Sequence, residues 1–140
     1  MQPGIWAEAH GAIVHFPIAF SLCSLVFDVA AFALRSRPVS HDLHAVGYWT
    51  LLTGALGSIG AVISGLFMTR GGLLGHGALR LHHLFVWPAF SLLVGLATWR
   101  LITGQRMTQR AFIGYMGTIA LTATLMSIAG YWGGAMMTAI

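Results

Sequence analysis

Seven histidines stand in a chain of 140 residues that is 57% hydrophobic and only 7% charged. Two of them, His10 and His15, bracket "HGAIVH", and two adjoin each other, His82 and His83, in "LHHLFVWPAF". Imidazole ligates haem iron and copper, and it carries protons near neutral pH. Any one histidine at a helix end is most simply an interfacial side chain bonded to water, headgroups or backbone. As a group they ask for more. His15 stands about three residues inside an apolar run, about 5 Å deep at 1.5 Å per residue, and ionisable residues at such depth usually face the bundle and mark a site.

The elements that carry these residues are membrane helices. A mean hydropathy of +0.81 is too apolar for a soluble domain. Four runs are long enough to span, over approximately 12–34, 45–68, 81–102 and 111–136. The links "RSRPVSHDLH", "TRGGLLGHGALR" and "TGQRMTQR" are short, so successive helices are antiparallel neighbours in an all-α four-helix bundle forming a single domain. No lysine or arginine precedes the first span, so a retained span is expected there and no cleaved signal. The pI of about 10.3 arises from a few arginines near helix ends, with no basic patch and no sign of nucleic-acid binding. The lone Cys23 lies in an apolar run.

Arg35, Arg37, Arg100, Arg106 and Arg110 flank the first and third links, against Arg70 and Arg80 in the second. The positive-inside rule then puts the first and third links in the cytoplasm and both termini outside, in the periplasm of a bacterial inner membrane. In that orientation Trp6, Trp87 and Trp132 lie near the outer interface. His10, His15, His76, His82 and His83 gather at the outer end, and His41 and His44 at the inner.

The leading chemistry is a b-type haem held by axial imidazoles from two facing helices. No C-x-x-C-H occurs, so attachment is non-covalent. His15 is the expected first ligand. Its partner is His83, with His82 as the alternative, since neighbours on a helix point about 100° apart. His10 is then a supporting or proton-handling residue, like His76, and Arg80 or Arg70 meets the propionates. Glycines of the second and fourth spans mostly serve helix packing. Copper is the competing cofactor, because Met68, Met136 and Met137 share the outer end with the histidines. Zinc is disfavoured: only Glu8 joins the cluster. Asp28 lies about 20 Å further in, where His44 or Arg100 is its expected partner. A structural pair is the preferred reading there, and a proton-uptake or quinone site the sharper one.

Short words recur. "AFSL" begins at Ala19 and again at Ala89, "GYW" at Gly47 is echoed by "GYM" at Gly114, and "SIGAVISG" at Ser58 by "SIAGYWGG" at Ser127. Offsets near seventy suggest two parallel hairpin repeats, related by an axis along the membrane normal.

The pattern H-x4-H-F-P-I-A-F followed by Asp28, "SGL" closing the second span, a histidine opening the third and "GYWGG" closing the fourth resembles a family of small four-helix bacterial membrane proteins of unknown function. The resemblance covers nearly the whole chain. It departs from the family at Gly11, where proline is common, at "FMTRGG", which lacks an acid, and in the third span, which lacks an asparagine. Fusion of some members to Rieske or c-type cytochrome domains implies respiratory redox work. The expected function is electron relay between the quinone pool and a periplasmic redox protein, as a lipid-embedded subunit of a larger complex more than as a stand-alone enzyme. A cofactor-free anchor or assembly subunit and a copper protein are the rivals.

Overall fold

The computed structural model describes residues 4–104 and 107–138, the last two by backbone alone. Arg106 and the side chain of Met137 lie outside the described residues. Five helices follow in order: α1 (Ile5–Ile13), α2 (His15–Ala33), α3 (Val39–Met68), α4 (Ala78–Thr103) and α5 (Gln109–Thr138). The apolar stretch Ile5–Ala33 counts as one span, which gives four helical segments long and apolar enough to cross a membrane.

Helix formation starts earlier than the hydropathy pattern suggests, at Ile5, so His10 lies within a helix. The break at Val14 has a local cause. Pro17 has no N–H for the carbonyl of Ile13, and its ring crowds that carbonyl, so the helix is interrupted at that point. Pro38 caps the start of α3, where a missing N–H costs nothing. α4 runs through Pro88 unbroken. Membrane helices tolerate this when neighbouring groups re-satisfy the freed carbonyl.

α2 packs on α3 and α4 on α5, and the two hairpins join through α2 with α5 and α3 with α4, while α1 lies on α3. Only 22–33% of each span is buried within the bundle, so most apolar side chains, such as Val26, Leu56 and Leu101, face outward. Lipid solvates those faces, and association rests on close packing and polar pairs instead of water exclusion. Small residues bring α2 and α3 together. A Cβ at Gly54 or Gly57 would lie 3.1 Å from the Cβ of Phe20 or Phe16.

The two hairpins share a burial register. Pro17, Ser21, Ser24 and Asp28 of α2 are buried, and so are Ala89, Leu93, Leu96 and Arg100 of α4, each 72 positions on, as from Asp28 to Arg100. In α3, Gly47, Leu51, Gly54, Ala55, Ser58 and Ala61 are matched in α5 by the buried Tyr115, Ile119, Thr122, Ala123, Met126 and Ala129, each 68 positions on. The "AFSL" words are not equivalent in space: Ala19 is exposed, whereas Ala89 is fully buried. Burial therefore recurs at offsets of 72 and 68, and the recurring words do not.

Candidate functional site: two polar pairs on the repeat axis

Residues at equivalent positions meet only beside the axis that relates the halves. Among the described residues two such polar pairs meet: Asp28 with Arg100 at the end of the first and third links, called here the inner end, and His10 with His82 at the end of the second link, called the outer end.

The inner pair is a buried ion pair in which both oxygens of the carboxylate are hydrogen-bonded. Asp28 is 0% and Arg100 1% exposed. Arg100 Nη1 donates to Asp28 Oδ2 at 2.5 Å and Nη2 donates to Oδ1 at 2.9 Å. The hydroxyl of Tyr115 donates to Oδ2 at 2.9 Å and accepts from Arg100 Nη1 at 2.8 Å. His44 Nδ1 lies 3.3 Å from Oδ1, and Ser24 Oγ donates to the Gly47 carbonyl at 2.9 Å while standing 3.0 Å from the Tyr115 hydroxyl. Gly47 is required here, because any Cβ would fall 2.6 Å from Asp28 Oδ1. A bidentate, charge-assisted fork of this kind is how a carboxylate and a guanidinium survive in lipid. Both expected partners of Asp28 are therefore present together. Tyr115, Ser24 and Gly47 were missed by sequence reasoning. The polar stripe Ser21, Ser24, Asp28 at helical spacing was the available signal.

At the outer end, His10 Nδ1 donates to the carbonyl of Ala61 at 2.9 Å, with Ser64 Oγ 3.1 Å away. His82 Nδ1 donates to the carbonyl of Ala129 at 2.8 Å. Ala61 and Ala129 are equivalent in the repeat, so the two halves anchor their imidazoles in the same way. A carbonyl can only accept, so each proton sits on Nδ1 and each Nε2 keeps its lone pair. Glycine clears the space behind both rings. A Cβ at Gly65 would lie 3.0 Å from His10 Cε1, and one at Gly133 would lie 3.4 Å from His82 Nδ1. The two ring centroids are 6.4 Å apart, with planes at 80°.

The remaining expected residues are placed differently. His15 is exposed beyond the helix break and makes no hydrogen bond among the described residues. His83 is 7% exposed, and its Nδ1 has no partner among the described residues. Its ring lies 5.7 Å from that of His82 and 6.2 Å from that of Trp87. The structure thus brings together His10 and His82, not His15 and His83. The physical reason is helical spacing: at 100° per residue, His10 and His15 lie about 140° apart around the helix, so the stripe that turns His10 toward His82 does not carry His15. Arg80, Arg70 and His76 are exposed, and Arg70 adopts a left-handed backbone (φ 53°) in the turn after α3. Met68 and Met136 are partly buried, and no group of three or more His, Cys, Asp or Glu able to hold a metal ion occurs among the described residues. Trp87 reaches the second link, donating from Nε1 to the Leu73 carbonyl at 2.9 Å.

No curated protein and no solved structure matches the chain. A family match, in contrast, covers residues 7–139, from α1 through the C-terminal helix, and so includes both axial pairs. This chain of four apolar spans belongs to DUF2231, a family of predicted membrane proteins.

Proposed function

We propose that the chain binds one b-type haem between His10 and His82. It would pass electrons between the quinone pool and a redox partner at the outer face of the bacterial inner membrane, as a subunit of a respiratory complex. The observation that carries this reading is the adjacent imidazole pair, 6.4 Å between centroids, each ring tethered through Nδ1 and with no hydrogen bond at Nε2 among the described residues. The donor set suits an axial pair. It does not suit a site that needs three or four protein ligands. When bound, haem supplies one-electron redox chemistry.

The chain's own residues supply orientation and burial. The Ala61 and Ala129 carbonyls hold the rings and raise the basicity of each Nε2, as second partners of ligating histidines do. Ser64 adds a further contact on the His10 side. Trp6 stacks on Phe67 with centroids 4.4 Å apart and shields the outer end of α1 against α3. Arg80, exposed in the first turn of α4, makes no hydrogen bond among the described residues and is available to an anionic substituent. His83, buried beside His82, is placed to tune the site without ligating.

The test is a reduced-minus-oxidised spectrum of the purified protein, with electron paramagnetic resonance of His10→Ala and His82→Ala. Sharp b-type bands are expected, turning high-spin or vanishing in either variant. Colourless protein with stoichiometric copper would establish the copper rival, and colourless, metal-free protein the anchor. Loss of the signal in His15→Ala, with both other variants intact, would return the ligand to His15. A C-terminal alkaline phosphatase fusion should be active and a cytoplasmic fluorophore fusion silent, as the arginine distribution requires.

A further inference from the structure

Next to the Asp28 cluster, the inner end of the bundle opens into a cavity of about 250 Å³. Arg35, His44, Arg100 and Gln109 line it on the polar side, and Phe32 and Phe112 on the apolar side. Its charge is one-sided. Asp28 is already matched by Arg100, and no carboxylate lines the cavity among the described residues. Asp42 is exposed and pairs with His41 at 3.7 Å. The Arg35 side chain makes one hydrogen bond, from Nη1 to the Phe32 carbonyl at 3.2 Å, and its exposed guanidinium lies over the Phe32 ring at 4.9 Å with no carboxylate partner among the described residues. Arg100 lines the cavity while 1% exposed, and its Nε has no acceptor among the described residues. α5 begins at Gln109, so the N–H groups of its first turn add partial positive charge at the same end. Below them the rings of Phe32 and Phe112 lie 6.2 Å apart and form an apolar floor.

We propose that this cavity binds the phosphate of an anionic phospholipid, with Arg35 and Gln109 at the headgroup and Phe32 and Phe112 against the glycerol and first methylenes. Basic pockets between helices at the cytoplasmic side of a membrane take such headgroups. A free phosphate would meet the same cations and leave the phenyl floor unused. A neutral quinone head would leave the charge of Arg35 and the Nε of Arg100 unanswered. The assignment is independent of the haem reading, since it rests on the opposite end of the bundle.

The experiment is native mass spectrometry of the full chain released from nanodiscs of mixed phosphatidylglycerol and phosphatidylcholine. One phosphatidylglycerol retained per chain is expected. Arg35→Ala should weaken retention about tenfold, the loss of one charge-assisted bond, and Gln109→Ala should weaken it less. Arg37→Ala, exposed and outside the cavity, should retain the lipid fully. Equal retention of phosphatidylcholine, or equal loss in Arg35→Ala and Arg37→Ala, overturns the site. Displacement of the lipid by millimolar inorganic phosphate overturns the lipid as its occupant, and so does retention of ubiquinone in its place.

Discussion

At the inner end of the bundle one carboxylate draws donors from Arg100, Tyr115 and His44, and both of its oxygens are taken. At the outer end each imidazole bonds through one nitrogen and keeps the other free. Both arrangements place polar atoms inside an apolar bundle. The first saturates its carboxylate and leaves only Arg100 Nε without an acceptor among the described residues. The second is fixed in position and open in valence, which is what a ligand pair requires. Saturation marks a structural pair, and a tethered but incomplete pair marks a chemical one.

Mutation should separate the two ends by what fails. The largest effect is expected at Asp28→Asn, or at Arg100→Gln, because each leaves an uncompensated buried charge, at a cost of about 3–5 kcal/mol. Thermal unfolding in detergent measures it, and the double variant should cost less than the sum of the singles, with a coupling above about 1 kcal/mol. Gly47→Ala should follow at about 1–3 kcal/mol, since its methyl would occupy the position of the Asp28 carboxylate. If Gly47→Ala is neutral, the inner cluster has slack that its saturation denies.

His10→Ala and His82→Ala should leave the metal-free fold within about 1.5 kcal/mol of the parent, the worth of one hydrogen bond, while abolishing the low-spin signal. Equal collapse of stability and signal would make the outer pair as structural as the inner. Subtler still, Gly65→Ala should shift the resonance signature more than Gly133→Ala, because its methyl presses on His10 at 3.0 Å against 3.4 Å at His82. His15→Ala should be the smallest, within about 0.5 kcal/mol and without spectral change.

The sequence carries most of the architecture. Apolar runs of about twenty residues between short links leave little besides a helical bundle, and Asp28 deep in a span could be read as needing Arg100 or His44. The pairing of His10 with His82 was less legible. It depends on which face of the first span packs inward, because His10 and His15 lie about 140° apart around the helix and only one of them can face α4. The repeat was visible in words of sequence but not in its register. Identical letters such as "AFSL" recur by chance among apolar residues, while the true equivalents, Asp28 and Arg100 or Gly47 and Tyr115, share no chemistry. Similarity of position survives there without similarity of side chain.

That last pairing bears on what a symmetric arrangement could hold. Two identical hairpins related by a two-fold axis would set every axial residue against its own copy. Histidine tolerates this, and the outer end still has imidazole facing imidazole. Aspartate facing aspartate, or arginine facing arginine, would strand two like charges in lipid. Gly47 and Tyr115 diverge in step: one vacates the space that the carboxylate fills, and the other brings a hydroxyl to it. Opposite charges at equivalent positions are open only to halves encoded separately, and the link over residues 69–77 keeps those halves in one chain. The molecule is a heterodimer that never has to find its partner.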